Sequence, residues 1–272
     1  MAAGVLILTG MDACIKLLTL RGMPVTEAMF LRNLLALAPL LAALAWDGGT
    51  AGLLRARHGT QILRGIFAFV TGWCFFTALT AMPLADALAL AFAAPLLIAL
   101  LSGPMLAEPV AARSWWAIAL GFAGVLVILR PGAGVVEPMA ILALLAAVAY
   151  AVNSVLLRKL GHADSATVSS IYGTAIAALL SAGGLTGAGW IVPAAGDWPL
   201  LALTGLLGAS GSLAIAAAFR LAPAATLSPL EYTSLLWALG LGWVLFGDVP
   251  GPTLLLGAPL IILGGLMLAR KV

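Results

Sequence analysis

Charge is scarce in this sequence: 8% of its 272 residues are Asp, Glu, Lys or Arg, against about a quarter in a soluble globular domain. With 63% hydrophobic residues it has too little polar surface to cover such a domain, and it reads as an integral membrane protein. Histidine is scarce, with His58 and His162 both placed in loops and read as solvated. So is cysteine, with Cys14 and Cys74 inside apolar runs and read as packing groups. There are no clustered metal ligands, no Ser/His/Asp set and no phosphate-binding loop, so catalysis, a metal or other cofactor, and ATP-driven work have no residues to rest on. The net charge of +3 comes mainly from loop arginines and concerns orientation in a membrane rather than nucleic acid. The first apolar run lacks a basic leader and a small-residue cleavage site, so it reads as a retained span instead of a signal peptide.

What the chain does have is long continuous apolar runs, which exclude the short alternating strands of a closed barrel. A spanning helix takes roughly 20 apolar residues, because the hydrocarbon layer is about 30 Å thick and each residue rises about 1.5 Å. On that scale the sequence predicts an all-α fold of ten transmembrane helices near 3–20, 26–46, 61–81, 84–106, 114–130, 138–158, 165–184, 198–220, 225–246 and 252–269. Turn formers mixed with polar groups separate them, as at Asp47-Gly48-Gly49, Glu108-Pro109, Arg130-Pro131-Gly132 and Gly247-Asp248-Val249-Pro250-Gly251. The even-numbered loops and the C-terminus hold Arg55, Arg57, Arg64, Arg113, Arg158, Lys159, Arg220, Arg270 and Lys271, which is 9 of the 13 basic residues. Lys16, Arg21, Arg32 and Arg130 fall at or near the other boundary, so the positive-inside rule places both termini in the cytoplasm of a bacterial-type inner membrane.

The second half repeats the first at an offset of 140 residues: Pro83 matches Pro223, Leu90 Leu230, Glu108 Asp248, Gly124 Gly264 and Arg130 Arg270, with no gap. The halves are 1–132 and 133–272, five helices each, forming one integrated transport domain. An odd number of spans per copy makes the second enter the membrane from the opposite side, giving the inverted repeat on which many secondary transporters are built. Two such halves in one chain make a monomer sufficient and leave a dimer compatible. The bilayer and a small-molecule substrate are the expected partners, with no nucleic acid.

Ionisable groups inside spans are costly and face a protein interior or a wet cavity. Asp12 lies near the middle of the first helix, with Lys16 one turn on in the orientation that favours an ion pair. Two readings stand: Asp12 as a cavity group for a substrate ammonium or a proton, gated by Lys16, or a structural salt bridge with Lys16 snorkelling to the interface. Glu231 and Tyr232 follow Pro229, which removes a backbone donor and can open the ninth helix towards a polar cavity; alternatively Glu231 reaches interfacial water. With a one-residue slip Asp12 matches Asn153, so both copies carry a polar group near mid-membrane. Trp73, Phe92, Tyr150, Ser210 and Ser212 share that depth and would suit a solute with an apolar body and a polar head, although each aromatic alone reads first as ordinary packing and only the common depth raises it. Pro95 is expected to kink the fourth helix. Gly121 and Gly124, and Gly205, Gly208 and Gly211, lack the strand and helix start of a dinucleotide site and read as points of close helix approach.

The run Ala81-Met82-Pro83-Leu84-Ala85-Asp86-Ala87, then Ala94-Pro95-Leu96, Leu106-Ala107-Glu108-Pro109 and Gly121-Phe122-Ala123-Gly124-Val125 leading to Leu129-Arg130-Pro131-Gly132, resembles the EamA family of the drug/metabolite transporter superfamily. Met11-Asp12-Ala13 with Lys16, and Phe30-Leu31-Arg32-Asn33, look like the start of the same unit. The resemblance implies two inverted five-helix repeats and a cavity lined by helices 1, 3, 4, 6, 8 and 9. It also implies alternating access for small organic solutes, in a family that includes amino-acid exporters of the YddG type and carriers of S-adenosylmethionine or riboflavin. The second copy departs from the first, with Tyr172 opposite Arg32 and no cation opposite Lys16. The expected function is export of amino acids, aromatic ones included, or of related metabolites. Asp12 and Glu231 would meet the charged head, Asn153, Ser210 and Ser212 would hydrogen-bond it, and Trp73, Phe92, Tyr150 and Tyr232 would contact the body. Import of a larger cofactor-like metabolite is the alternative, and a lipid scramblase or a subunit of a membrane complex the alternative of another class.

Overall fold

A computed structural model describes residues 1–46, 50–106, 112–129, 138–160, 163–188, 190–221, 227, 231 and 233–269. All their regular structure is helical. In chain order the α-helices are α1 (Ala2–Leu20), α2 (Val25–Trp46), α3 (Ala51–Arg55), α4 (His58–Leu79), α5 (Leu84–Ala91), α6 (Ala93–Leu106), α7 (Ala112–Leu129), α8 (Pro138–Leu160), α9 (Ala166–Ala188), α10 (Trp198–Leu221), α11 (Thr233–Leu241) and α12 (Pro252–Ala269). A 3-10 turn at Ala195–Asp197 precedes α10, and a π-helical turn at Gly242–Phe246 extends α11. Among the described residues seven segments are long and apolar enough to cross a membrane: Ala2–Leu20, Val25–Trp46, His58–Leu79, Leu84–Met105, Pro138–Leu160, Ala166–Gly184 and Ala195–Leu221. Where the sequence predicts the fifth, ninth and tenth spans, the apolar helices are shorter: Trp115–Ile128, Thr233–Phe246 and Pro252–Gly264. Pro229, Tyr232, Glu108, Arg130, His162 and Pro223 lie outside the described residues.

The helices pack in pairs. α7 lies along α12, α2 along α9, α4 along α8 and α1 along α10, while α2 also meets α10, α4 meets α9, α6 meets α8 and α1 meets α11. A shift of 140 residues turns α4–α8 into α10–α1, α2–α10 into α9–α4 and α6–α8 into α11–α1, and it maps α2–α9 and α7–α12 onto themselves. The α7–α12 pair shows the chemistry of close approach. A Cβ on Gly124 would lie 2.6 Å from the Gly257 carbonyl oxygen, and one on Gly264 would lie 2.6 Å from that of Ala117. Small residues let two backbones touch where no hydrophobic effect separates helix from lipid.

The outside of the bundle is apolar. Leu34, Leu41, Ile62, Ile66, Leu203, Leu206, Leu256 and Leu263 are exposed, and Trp46, Trp115, Trp116, Trp198 and Trp243 are exposed near helix ends, where interfacial aromatic belts form. The buried core joins α1, α2, α4, α5 and α8 around Ile15, Leu18, Met29, Leu79, Leu84 and Leu90.

One interruption positions the interior. α5 stops at Ala91 and α6 begins at Ala93, with Phe92 at the junction. Pro95 has no N–H to give the Ala91 carbonyl four residues back, so the ladder opens one turn ahead of the proline. Near the other end of the chain, the wide turn at Gly242–Phe246 closes on Gly247, whose φ of 68° suits glycine, and the Asp248 N–H donates to the Gly242 carbonyl over 3.1 Å.

Candidate functional site

Between the helices lies a chamber of about 300 Å³, walled mainly by apolar side chains such as Leu8, Phe75, Phe76, Leu88 and Phe92. Asp12, Arg32, Tyr150, Asn153, Glu231, Thr9, Thr71 and Ser234 also line it. A second chamber of about 170 Å³ shares Leu8, Arg32, Ala68, Tyr150, Asn153 and Ile215 with the first and adds Asn33, Arg64, Ser170, Thr174 and Ser212.

Helix geometry explains which groups meet. Asp12 sits eight residues before the end of α1 and Arg32 seven after the start of α2. At about 1.5 Å per residue both lie about 11 Å from the same end of the bundle. Arg64, six residues into α4, and Asn153, seven before the end of α8, are level with each other near the opposite end. Accordingly Asp12 and Arg32 attract each other electrostatically, while Arg64 Nη1 donates to Asn153 Oδ1 over 3.3 Å. Arg64 Nε also donates to Gln61 Oε1 over 3.2 Å, and its Nη2 to the Ser169 carbonyl. Gln61 Nε2 then donates to Asp164 Oδ2 over 2.8 Å and to Ser169 Oγ over 3.0 Å. In the larger chamber the Tyr150 hydroxyl donates to Glu231 Oε1 over 3.1 Å, joining α8 to the region before α11.

The helix contents and the chamber fit one family of membrane proteins, and a family model described as the EamA-like transporter family matches the chain twice, over residues 1–130 and 137–270. The chain belongs to the EamA-like transporter family. It is similar to the pseudopaline exporter CntI of Pseudomonas aeruginosa (strain UCBPP-PA14), with 29% identity over 91% of this chain and 87% of that protein. It is also similar to a riboflavin transporter of Rhizobium johnstonii, with 30% identity over 79% of this chain and 70% of the relative. An S-adenosylmethionine uptake transporter of Rickettsia prowazekii shares 27% identity over 87% and 80% of the two chains. A crystal structure with 21% identity superimposes with a TM-score of 0.71, covering 99% of this chain and 98% of that one, a likeness of fold. The protein is therefore a multi-pass membrane transporter of small molecules.

In this EamA-like transporter, five of the residues expected from the sequence, Asp12, Phe92, Tyr150, Asn153 and Glu231, line the larger chamber, and Ser212 lines the smaller. Lys16 does not join Asp12. Its Nζ donates to Asp248 Oδ2 over 3.0 Å and to the Met82 carbonyl over 3.2 Å, and stands 4.5 Å from the centre of the Phe246 ring. The wide turn before Gly247 delivers both Phe246 and Asp248 to it, a long-range geometry that one-turn spacing along α1 does not reveal. Trp73 lies outside both linings, half-exposed, because it continues the outward face of Ile62 and Ile66 along α4. Ser210 shares the outward face of Leu203 and Leu206, and its hydroxyl donates to the Leu206 carbonyl over 2.8 Å. Tyr232 and Pro229 fall outside the described residues.

Two further residues belong to the chambers although their sequence positions suggest other roles. Arg64 falls among the loop cations and Arg32 among the boundary cations of the charge pattern, yet both line chambers. A sequence signal for Arg32 exists: it lies more than one helical turn inside an apolar run, the same circumstance that marks Asp12. His58 begins α4 and shares a hydrogen bond with the Tyr172 hydroxyl at the surface. Among the described residues no group of three or more His, Cys, Asp or Glu is placed to hold a metal ion.

Proposed function

We propose that this transporter exports amino acids, aromatic ones included, or closely related metabolites across a bacterial inner membrane. The observation that carries the reading is the larger chamber. Its apolar and aromatic walls enclose two carboxylates, Asp12 and Glu231, within about 300 Å³, a volume suited to a small solute. Asp12 and Glu231 receive the ammonium of the solute, Asn153 and Ser212 offer hydrogen bonds, and Phe92 and Tyr150 contact its apolar body.

Ten helices cross the membrane as two inverted five-helix repeats, 1–132 and 133–272, with both termini in the cytoplasm. The packing pairs that exchange under a 140-residue shift support this arrangement, as does the family match to each half. Removing Arg32 and Arg64 from the boundary cations takes one from each side and leaves the positive-inside bias in place. The halves rock about the chambers to give alternating access, and one chain is enough to form the path.

The test is exchange in proteoliposomes preloaded with single unlabelled amino acids, following labelled L-phenylalanine and L-leucine with and without a pH gradient. Saturable counterflow is expected. Its absence from folded, inserted protein would favour the second reading, uptake of a larger cofactor-like metabolite, which the relatives named for riboflavin and S-adenosylmethionine uptake support.

A further inference from the structure

The smaller chamber is short of anions. Arg64 is 6% exposed, and the acceptors that its three nitrogens reach, the Gln61 and Asn153 side-chain oxygens and the Ser169 carbonyl, are all neutral. Asp12 attracts Arg32 from the wall of the larger chamber, but the hydrogen bonds of Arg32 go to Asn33 Oδ1 over 2.7 Å and to Met11 Sδ over 3.0 Å, again neutral acceptors. A charge held out of water normally has a partner of opposite sign, since the desolvation cost per ion is several kcal/mol. Around the same chamber three buried atoms, Arg32 Nε, Asn33 Nδ2 and Ser170 Oγ, have no hydrogen-bond partner among the described residues. Asn33 and Ser170 are 2% and 5% exposed, so bulk water does not serve them. All three can donate, and an anion brings acceptors that the chamber wall lacks. The backbone also makes room for the cation: a Cβ on Gly173 would stand 2.7 Å from Arg64 Nη2.

We propose that Arg32 and Arg64, with Asn33 and Ser170, form an anion site in the smaller chamber that takes the carboxylate of the transported solute. The inference rests on the solute reading of the larger chamber and sharpens it. Asp12 and Glu231 hold the cationic end in one chamber, and the guanidiniums hold the anionic end in the next, across the shared wall of Tyr150 and Asn153. The substrate class is then an amphoteric molecule with a carboxylate, and amines without one are poor substrates. A guanidinium presents paired donors that match a carboxylate, which explains arginine here in place of lysine.

The experiment compares three probes of one shape, L-phenylalanine, 3-phenylpropionate and phenylethylamine, by the rise in Tm of the purified protein in nanodiscs. It then repeats the comparison with Arg32→Gln, Arg32→Lys and Ser170→Ala. L-Phenylalanine and 3-phenylpropionate are expected to stabilise the protein and phenylethylamine to bind at least tenfold more weakly. Arg32→Gln should weaken both carboxylates at least tenfold, with Arg32→Lys falling between. Phenylethylamine binding as tightly as L-phenylalanine would overturn the proposal, as would failure of both carboxylates to bind or stabilisation by chloride equal to theirs. These wild-type comparisons stand even if a variant does not fold. Counterflow of amino acids with equal competition by the amine would sink the anion site and keep the export reading. Carboxylate binding that depends on Arg32, without any amino-acid counterflow, would do the reverse.

Discussion

The two chambers differ in what they are made of and in how the chain balances them. The larger has apolar walls and two carboxylates drawn from opposite halves of the sequence, Asp12 and Glu231, and shares Arg32 with the smaller. The smaller is bordered by guanidiniums from the first half, Arg32 and Arg64, together with Asn33 and Ser170. A chain with so few charges has placed both signs along one interior path, where each is expensive unless it is used. Under the proposed anion site the path has a polarity: one end suits a cation and an apolar body, the other an anion.

The largest effect is expected from removing one carboxylate of the larger chamber. Asp12→Asn keeps size and hydrogen bonding but removes the charge proposed to meet the solute ammonium, so L-phenylalanine counterflow is expected to fall at least tenfold with insertion unchanged. Binding of 3-phenylpropionate, which keeps the carboxylate and has no ammonium, should be indifferent to the change. Equal counterflow by the variant, measured on protein that is monodisperse in detergent, would take Asp12 out of the path.

How far the site can be read from the sequence follows from the range of each contact. The apolar runs, the break ahead of Pro95 and the 140-residue register are local or periodic features, and the helices, the Phe92 junction and the α7–α12 glycine contact follow from them. Asp12 is legible because a carboxylate deep in an apolar run costs too much to sit against lipid, so it must face the interior. Lys16 is the opposite case. One turn along α1 it looks like the partner of Asp12, but its partner is 232 residues away, brought in by a π-helical turn that no sequence period announces. Arg64 is hidden for a different reason: its helix begins at His58, earlier than the apolar run, so a side chain six residues inside α4 looks like loop.

A gentler change tests the other chamber without touching its charges. Gly173→Ala places a methyl 2.7 Å from Arg64 Nη2, so the guanidinium must shift from its seat between α8 and α9. Binding of 3-phenylpropionate is expected to weaken severalfold, and binding of phenylethylamine to stay as it was. A uniform loss for both would mean that the methyl disturbs helix packing instead. Tyr150→Phe acts on the wall between the chambers. It deletes the hydroxyl that donates to Glu231 over 3.1 Å, and a hydrogen bond to a charged group contributes about 1.5–3 kcal/mol. Because the freed carboxylate can turn to the solute ammonium, the net change in KM for L-phenylalanine is expected to stay within about fivefold, smaller than for either charge-directed variant.

The smallest effects should come from the two residues that the sequence groups with the site and the structure turns outward. Trp73 continues the lipid-side face of Ile62 and Ile66, and Ser210 donates to the Leu206 carbonyl of its own helix. Trp73→Phe keeps an apolar ring on that face, and Ser210→Ala removes a hydroxyl whose bond closes within α10. Neither change alters a group lining either chamber. Counterflow of L-phenylalanine is therefore expected to stay within about twofold of the parent in the double variant, because substitutions away from buried networks usually fall within about 0.5 kcal/mol. A loss as large as that of Asp12→Asn would show that the solute path passes outside the two chambers, and the division of charge between them would lose its meaning.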